Sequence, residues 1–275
     1  MTTTKSQITL GDLTFDVAVG GPADGEPVLL LHGFPHNSGS YDGVVGLLHD
    51  AGLHTITFDQ RGYSPGARPA GVEPYGIDHL VGDALGVLDA LGVERCLLVG
   101  HDWGGILGWQ LAARHPERFT GYVAVSTGHS SAIAGALRSG SDQRERSSYI
   151  AAFIADGAEE KLLARNAVLL RRTCPREAVP PLQEPGALTA ALNWYRATFN
   201  GDIAEKLSGG RVTIPTTMVW SDGDTALGRE QAEGSGEFVD ADYRFVELSG
   251  VDHWVPEKAP EALAAAIIDR AGAGR

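Results

Sequence analysis

The segment Gly100–Gly104 places an aspartate where a sharp turn would expose it for reaction. The segment follows Cys96–Val99, an apolar run typical of a buried strand, and precedes Ile106–His115, whose pattern predicts a helix. A strand-to-helix turn with glycines at its ends holds its central residue in a strained conformation and lifts that side chain above the sheet. The central residue is Asp102, so the exposed group is a carboxylate and not a serine hydroxyl.

A carboxylate in this position favours displacement at saturated carbon. Aspartate titrates near about pH 4, so it is ionised at neutral pH without help from a neighbouring base. Its attack on a carboxylic ester would give a reactive anhydride, whereas its attack on an epoxide or an alkyl halide gives an alkyl ester. That enzyme ester must then be hydrolysed by water that a base activates. Asp102 therefore favours epoxides or alkyl halides and makes an esterase a weaker alternative.

Two loops near the carboxyl terminus carry residues that could supply the base. The run Met218–Trp220 leads to Asp222 and Asp224, and the run Phe245–Leu248 leads to His253. In doubly wound sheets, functional groups gather beyond the carboxyl ends of the strands. We therefore predict that His253 is a general base oriented by one of the two aspartates.

The elements around these loops predict an α/β protein. Short apolar runs at Val28–Leu31, His54–Phe58 and Phe119–Val125 alternate with helical patterns such as Ile77–Leu91. This alternation implies a mainly parallel, doubly wound sheet that is covered by helices on both faces. Parallel strands buried on both faces are typically apolar throughout, as these runs are.

The alternation stops after Ser126 and resumes near residue 212. The stretch between them contains helical patterns and no convincing core strand, and it is too long for an irregular loop. The predicted helices are Tyr149–Ala155, Glu159–Leu170 and Ala187–Phe199. We therefore predict a core formed by residues 1–126 and 212–275, with a helical cap formed by residues 127–211.

Composition excludes several classes of partner. The 275 residues include 35 acidic and 22 basic side chains, a net charge of −13, which disfavours nucleic acid and membrane surfaces as partners. The two cysteines, Cys96 and Cys174, suggest neither a disulfide framework nor a metal site. The segment Met1–Leu10 lacks the apolar core of a signal peptide. We expect a cytoplasmic protein with no cofactor that acts on a small apolar molecule and water, in an oligomeric state that the sequence leaves open.

Five motifs together resemble the epoxide hydrolase branch of the α/β-hydrolases. They are His32-Gly33-Phe34-Pro35, Asp59-Gln60-Arg61-Gly62, Gly100–Gly105, Asp224 and Asp252-His253-Trp254. The resemblance covers nearly the whole chain. It implies the α/β-hydrolase fold with an aspartate nucleophile, and the family's spacing favours Asp224 over Asp222 as the orienting carboxylate. It also implies that the Phe34–Pro35 bond is cis and that the backbone N–H groups of Phe34 and Trp103 form an oxyanion hole.

The same resemblance implies two catalytic tyrosines in the cap. The oxygen of an opening epoxide leaves as an alkoxide, which requires a proton or a strong hydrogen bond. A phenol suits this task because it titrates near about pH 10, well below an alcohol. The family's tyrosine motifs correspond to Tyr149 within Ser147–Ile150 and to Tyr195 within Asn193–Arg196.

The substrate pocket is predicted less directly. Phe34 and Trp103 lie within these motifs, His36 follows one of them, and all three are predicted to line the pocket. One departure from the family concerns Thr127–Ser130, which stands where this branch often has a Pro-His-Pro segment. The departure affects the start of the cap and therefore the shape of the pocket.

The sequence therefore predicts an epoxide hydrolase that forms a vicinal diol through an Asp102 alkyl ester, which His253-activated water then hydrolyses. A haloalkane or haloacid dehalogenase is the nearest alternative. Haloalkane dehalogenases usually have asparagine in the place of Phe34, and haloacetate dehalogenases usually have arginine in the place of Trp103. A non-catalytic protein that binds a small ligand on the same fold is a second alternative, because a fold by itself does not prove activity.

Overall fold

An eight-stranded sheet forms the centre of the computed structural model, which describes residues 3–200 and 209–272. Its spatial order is β1-β2-β4-β3-β5-β6-β7-β8. The strands are β1 (Thr4–Leu10), β2 (Leu13–Gly20), β3 (Glu26–Leu31), β4 (Leu53–Phe58), β5 (Cys96–His101), β6 (Phe119–Val125), β7 (Thr216–Ser221) and β8 (Tyr243–Leu248). β2 is antiparallel to β1 and β4, and the strands from β4 to β8 pair in parallel. The mainly parallel sheet that the sequence predicts is confirmed.

Helices connect the parallel strands, and several of them lie between β6 and β7. The helices are α1 (Asp42–Asp50), α2 (Ile77–Ala90), α3 (Trp103–Arg114), α4 (Ser130–Ser139), α5 (Gln143–Arg146), α6 (Tyr149–Ile154), α7 (Ala158–Thr173), α8 (Val179–Leu182), α9 (Ala187–Phe199), α10 (Arg229–Gly234), α11 (Val255–Lys258) and α12 (Pro260–Gly272). Residues 201–208 of the predicted cap, and residues 1–2 and 273–275 of the predicted core, lie outside the described residues. Among the described helices, each is too short or too polar to cross a bilayer.

The sheet separates two apolar cores. In β3, Val28 and Leu30 face a core shared with α1 and α12, whereas Leu29 and Leu31 face a core shared with α2 and α3. All four side chains are fully buried because both faces of the strand are covered. Helices on both faces leave the carboxyl ends of the parallel strands as the open edge, where the loops that follow β3, β5, β7 and β8 meet.

Three local features differ from the sequence expectations. Thr4–Leu10 forms a strand that was not predicted, because this edge strand is mostly exposed and lacks an alternating apolar pattern. Ser130–Ser139 forms a helix that was not predicted, since its serines and glycine favour helices weakly. The predicted helix Glu159–Leu170 is interrupted at Ala164–Ala167, where three consecutive residues take positive φ.

Close packing of backbones fixes the position of α3 over the sheet. A Cβ atom added to Gly104 would lie 2.1 Å from the carbonyl oxygen of Leu31, at the end of β3. Only glycine allows the first turn of α3 to lie this close to the neighbouring strand. The position of the turn that carries Asp102 therefore depends on a missing side chain.

We predict that Gly104→Ala lowers the free energy of unfolding by about 1–3 kcal/mol, the usual range for overpacking. Gly46→Ala is the matched control, because Gly46 lies exposed within α1 and a Cβ atom added to it would have no neighbouring atom within 4 Å. The control should raise stability by about 0.5–1 kcal/mol through helix propensity. Urea denaturation followed by circular dichroism measures both changes, and equal midpoints for the two variants would contradict the packing argument.

Candidate active site

Asp102 occupies the sharp turn between β5 and α3. Its backbone has φ 54° and ψ −118°, a conformation that costs a non-glycine residue about 1–3 kcal/mol. The strain persists because β5 ends at His101 and α3 begins at Trp103, so both flanking residues belong to regular elements. The residue is nevertheless 9% exposed, which leaves its carboxylate open to the adjoining cavity.

The two oxygens of the Asp102 carboxylate have different partners. Oδ1 accepts the backbone N–H of Phe34 at 2.7 Å, and Oδ2 lies 3.4 Å from Nε2 of His253. A Cβ atom on Gly33 would lie 2.3 Å from Oδ1, so a glycine is needed where the β3 loop meets the carboxylate. The Phe34–Pro35 bond is cis, as the resemblance implied. The backbone N–H of Trp103 belongs to the first turn of α3, where amides have no partner within the helix.

A second carboxylate holds the imidazole from its other side. Nδ1 of His253 lies 2.8 Å from Oδ2 of Asp224, which is 1% exposed. Oδ1 of Asp224 accepts the backbone N–H groups of Ala226 and Leu227 at 2.7 and 2.9 Å. Nδ1 donates to Asp224, and the other ring nitrogen, Nε2, faces Asp102. The structure thus brings Asp102, His253 and Asp224 into one line.

Asp222 has a different position. Its Oδ1 accepts the backbone N–H of Gly250 at 2.6 Å, and its side chain is exposed. Gly250 begins the loop that carries His253, so Asp222 fixes the turn after β8 and does not contact the imidazole.

Two side chains also hold the backbone of His253 in place. Its carbonyl oxygen accepts Nε2–H of His101 at 2.9 Å and the hydroxyl of Ser126 at 3.2 Å. Because a carbonyl can only accept, His101 carries its proton on Nε2. Burial, reinforced by the neighbouring His253, lowers the pKa of His101 to about 4. His101 is therefore a neutral donor at neutral pH that fixes the position of the loop.

The electrostatics of His253 are set by its two carboxylate neighbours. Burial alone would lower the pKa of the imidazole, but the attraction of Asp224 and the hydrogen bonds to Asp102 and Asp224 raise it well above its ordinary value. Burial would likewise raise the pKa of Asp224, yet the contact with His253 lowers it. With both carboxylates charged, the protonated imidazole is thus favoured.

A cavity of about 390 Å³ opens onto Asp102 and His253. Phe34, Tyr149 and Tyr195 line it, and the phenol rings of the two tyrosines lie 6.3 Å apart between centroids. Burial is the main cause that raises the pKa of both phenols, and the negative charge of Asp102 adds to it. The phenols therefore keep their protons at neutral pH and can donate hydrogen bonds into the cavity.

Two of the predicted pocket residues do not line this cavity. His36 lies in a separate groove, where its Nδ1 accepts the backbone N–H of Asn37 and its Nε2 lies 3.8 Å from Glu257. Trp103 is 3% exposed because its ring packs 4.9 Å from the ring of Tyr195, between centroids. Phe34 alone of the three predicted residues lines the cavity.

The remaining lining residues come mostly from the helical segment between β6 and β7. They are Phe153, Leu162, Leu169, Leu170, Arg172, Thr173, Cys174, Thr225, Ala226 and Trp254. The sequence signals for them were weak: apolar residues at helical spacing in α7 are equally typical of core packing. Within residues 3–200 and 209–272, no cluster of three His, Cys, Asp or Glu side chains could hold a metal ion.

The segment Thr127–Ser130, which departs from the family pattern, is fixed by polar contacts. The backbone N–H of Gly128 donates to Oε1 of Gln231 at 2.6 Å, and that of His129 donates to the hydroxyl of Ser235 at 2.8 Å. The His129 ring stacks on Phe238 with centroids 4.4 Å apart. Side chains that follow β7 thus hold the start of the helical insertion, which is the segment between β6 and β7.

Comparison with known proteins gives consistent results. Residues 26–260 match the alpha/beta hydrolase fold family. The chain is 32% identical to the AB hydrolase superfamily protein YfhM of Bacillus subtilis strain 168 over 94% of each chain. It is 28% identical to epoxide hydrolase A of Mycobacterium tuberculosis over 92% of each. A solved structure described among novel epoxide hydrolases from metagenomes of hot environments shares 28% identity, with a TM-score of 0.87 over 98% of this chain and 99% of that one.

The contacts of the two aspartates lead to a prediction for the imidazole. Asp224→Asn should lower the pKa of His253 by about one to three pH units, because it removes an adjacent negative charge. Asp222→Asn is the control and should leave that pKa unchanged, since its side chain contacts only the loop backbone. An NMR pH titration of the imidazole measures both. A similar decrease in the two variants would contradict the assignment of Asp224.

Proposed function

This chain belongs to the α/β hydrolase fold family, and we propose that it is an epoxide hydrolase that acts through a covalent Asp102 ester. The observation that carries the proposal is the content of one cavity. A carboxylate, an imidazole and two phenols open onto the same apolar space of about 390 Å³. Similarity to named epoxide hydrolases along most of the chain supports the substrate class.

Oδ2 of Asp102 is the attacking atom in the proposed first step. Oδ1 accepts the N–H of Phe34, whereas Oδ2 faces His253 at 3.4 Å and is the oxygen that reaches a ring carbon in the cavity in this proposal. The new bond forms between Oδ2 and that carbon as the ring C–O bond breaks. Tyr149 and Tyr195 donate to the departing oxygen, which becomes a hydroxyl by taking a phenolic proton, since an alcohol binds a proton more strongly than a phenol does.

Formation of the ester prepares His253 for the proposed second step. Asp102 becomes neutral once alkylated, so the imidazole loses one of the two negative neighbours that raise its pKa. The imidazolium releases its proton to solvent, and it regains one when the Asp102 carboxylate is restored. The neutral His253 meanwhile takes a proton from water as the water oxygen attacks the ester carbonyl carbon. Asp224 stabilises the imidazolium that forms, as expected for an orienting carboxylate.

Collapse of the tetrahedral intermediate releases the diol. The N–H groups of Phe34 and Trp103 stabilise the negative charge on Oδ1, and the loss of one such donor typically costs about 3 kcal/mol. The ester C–O bond breaks, and the imidazolium protonates the leaving alkoxide. Asp102 keeps the oxygen of water, and the second proton of water restores the phenol. We further propose that residues 127–211 act as the cap, since α6 and α9 supply the two phenols.

A dehalogenase would use the same carboxylate and imidazole, and it is distinguished by the leaving group. Phenols donate well to an alkoxide, which must be protonated, whereas a halide leaves without a proton. Halide release from chloroalkanes with no diol formed from any epoxide would favour the dehalogenase. Tight binding of an epoxide with no turnover would favour a non-catalytic binding protein.

His253→Gln should stop the reaction at the ester. We expect the intact protein to gain the mass of one substrate molecule, because alkylation needs no base and hydrolysis does. In the unaltered enzyme, one turnover in ¹⁸O-labelled water should place the label in Asp102 and leave little in the diol. Mass spectrometry measures both quantities.

Two controls accompany this experiment. Asp102→Ala should form no adduct, and His79→Gln should react normally because His79 is an exposed histidine paired with Glu73. Label that enters the diol directly in a single turnover would rule out the covalent route.

Removal of the phenolic hydroxyls should block the first step. Tyr149→Phe and Tyr195→Phe should each slow alkylation by about a hundredfold or more, as loss of a donor to a developing oxyanion usually does. The double variant should show no ring opening. Tyr75→Phe is the control, because its hydroxyl donates to Pro69 outside the cavity. Rapid-quench measurement of ester formation tests this, and full activity in the double variant would refute the role of both tyrosines.

A further inference from the structure

The cavity has a buried reacting end and an exposed mouth. Asp102 and His253 are buried, whereas Leu169, Arg172 and Thr173 line the same cavity and are exposed to solvent. The walls between the two ends are mostly apolar. A ligand that fills the cavity would therefore place its reacting group at Asp102 and its other end near the second half of α7.

Arg172 gives this mouth a positive charge. Among the described lining residues, it is the one charged group apart from Asp102 and His253. It makes no hydrogen bond or ion pair with any residue in the described ranges. Its neighbour Arg171 lies outside the cavity lining and donates to the Asn166 carbonyl at 2.9 Å and to Gln183 at 2.9 Å.

Arg172 is distinguished by its place in the cavity lining. Arg138, Arg165 and Arg176 of this insertion also lack a partner among the described residues, but they lie outside that lining. Arg146 pairs with Asp142 at 2.8 Å, and Arg196 pairs with Glu159 at 2.7 Å. The chain as a whole carries 35 acidic residues against 22 basic ones, so carboxylates are abundant. An arginine that lines an apolar cavity, with no carboxylate paired to it in residues 3–200 and 209–272, is available to an anion from outside.

The backbone before Arg172 accounts for its placement. Arg165, Asn166 and Ala167 take left-handed conformations inside α7 and break the helix into two parts. The second part therefore starts in a new direction, with Leu170 buried in the cavity wall and Leu169 and Arg172 together at the mouth. Residues three apart on a helix lie on one face, so an apolar side chain accompanies the cation.

We infer that Arg172 selects epoxides that carry a carboxylate separated from the ring by an apolar spacer. The planar guanidinium matches a carboxylate with two parallel hydrogen bonds. The spacer would lie along the apolar walls while Asp102 attacks the ring. This inference rests on the proposed function, because it names the substrate class of the same site.

The test compares matched substrates. Terminal epoxy carboxylates with a graded series of spacer lengths are each paired with the corresponding primary carboxamide, which has the same shape and no charge. For the spacer that reaches Arg172, we expect kcat/KM to be about five- to tenfold higher for the carboxylate, mainly through KM, since the contact lies away from the reacting atoms. The preference should weaken as salt is added.

Variants assign the preference to one side chain. Arg172→Gln should remove the preference for the carboxylate, so that kcat/KM becomes equal for the acid and the matched carboxamide. Arg172→Glu should reverse the preference through repulsion. Arg171→Gln is the matched control and should keep it, because Arg171 already bonds within the protein. A preference that persists in Arg172→Gln, or equal turnover of acid and amide by the unaltered enzyme, would overturn the inference.

A binding measurement separates this inference from the proposed function. Turnover of the neutral carboxamides tests epoxide hydrolysis and does not involve Arg172. Calorimetry with Asp102→Ala and the diol carboxylate reports binding at the mouth without any reaction. Weaker binding when Arg172→Gln is added supports the carboxylate contact, and unchanged binding refutes it. If no carboxamide reacts but the carboxylate diol binds through Arg172, the proposed function fails while the anion contact stands.

Discussion

One carboxylate, held between a backbone amide and an imidazole, is the constraint on which the rest of the structure depends. Asp102 reaches Phe34 through one oxygen and faces His253 through the other. Both contacts require the carboxylate to stand above the sheet, which a positive φ at the turn achieves. They also require Gly33 and Gly104, since a Cβ atom at either would collide with the carboxylate or with β3. Strain and glycine placement are thus consequences of one side-chain position.

The same carboxylate links the two proposed steps through its charge. A charged Asp102 favours a protonated His253, which is useless as a base. Alkylation neutralises Asp102, and the imidazole then lowers its proton affinity at the moment when a base is needed. Asp224 keeps its charge throughout, because it contacts His253 and accepts two backbone N–H groups. Alkylation must therefore come before hydrolysis, because His253 becomes a base only after Asp102 has lost its charge.

The sequence predicted most of the core site and less of the cavity. Asp102, Asp224 and His253 follow short apolar strands, and parallel strands bring their carboxyl ends together whatever the surface contains. His36 and Trp103, which the sequence predicts to line the pocket, lie outside the lining of this cavity, since His36 lies in a separate groove and the Trp103 ring packs against Tyr195. The sequence of residues 165–167 contains no pattern that indicates the end of a helix, so the break in α7 was not predicted. Side-chain direction depends on such breaks, and periodicity alone does not reveal them.

The core and the insertion must keep a fixed relative position, because each supplies a different part of the site. The core supplies the carboxylates and the imidazole, whereas the insertion supplies the phenols and the apolar walls. The phenols can donate to a substrate oxygen only if they lie close to Asp102. The insertion is fixed at its start by Gln231 on Gly128. It is fixed again where Arg146 donates to the backbone carbonyl of Asp224. That second contact joins α5 to the loop that orients His253, so a shift of the insertion would disturb the base as well as the phenols.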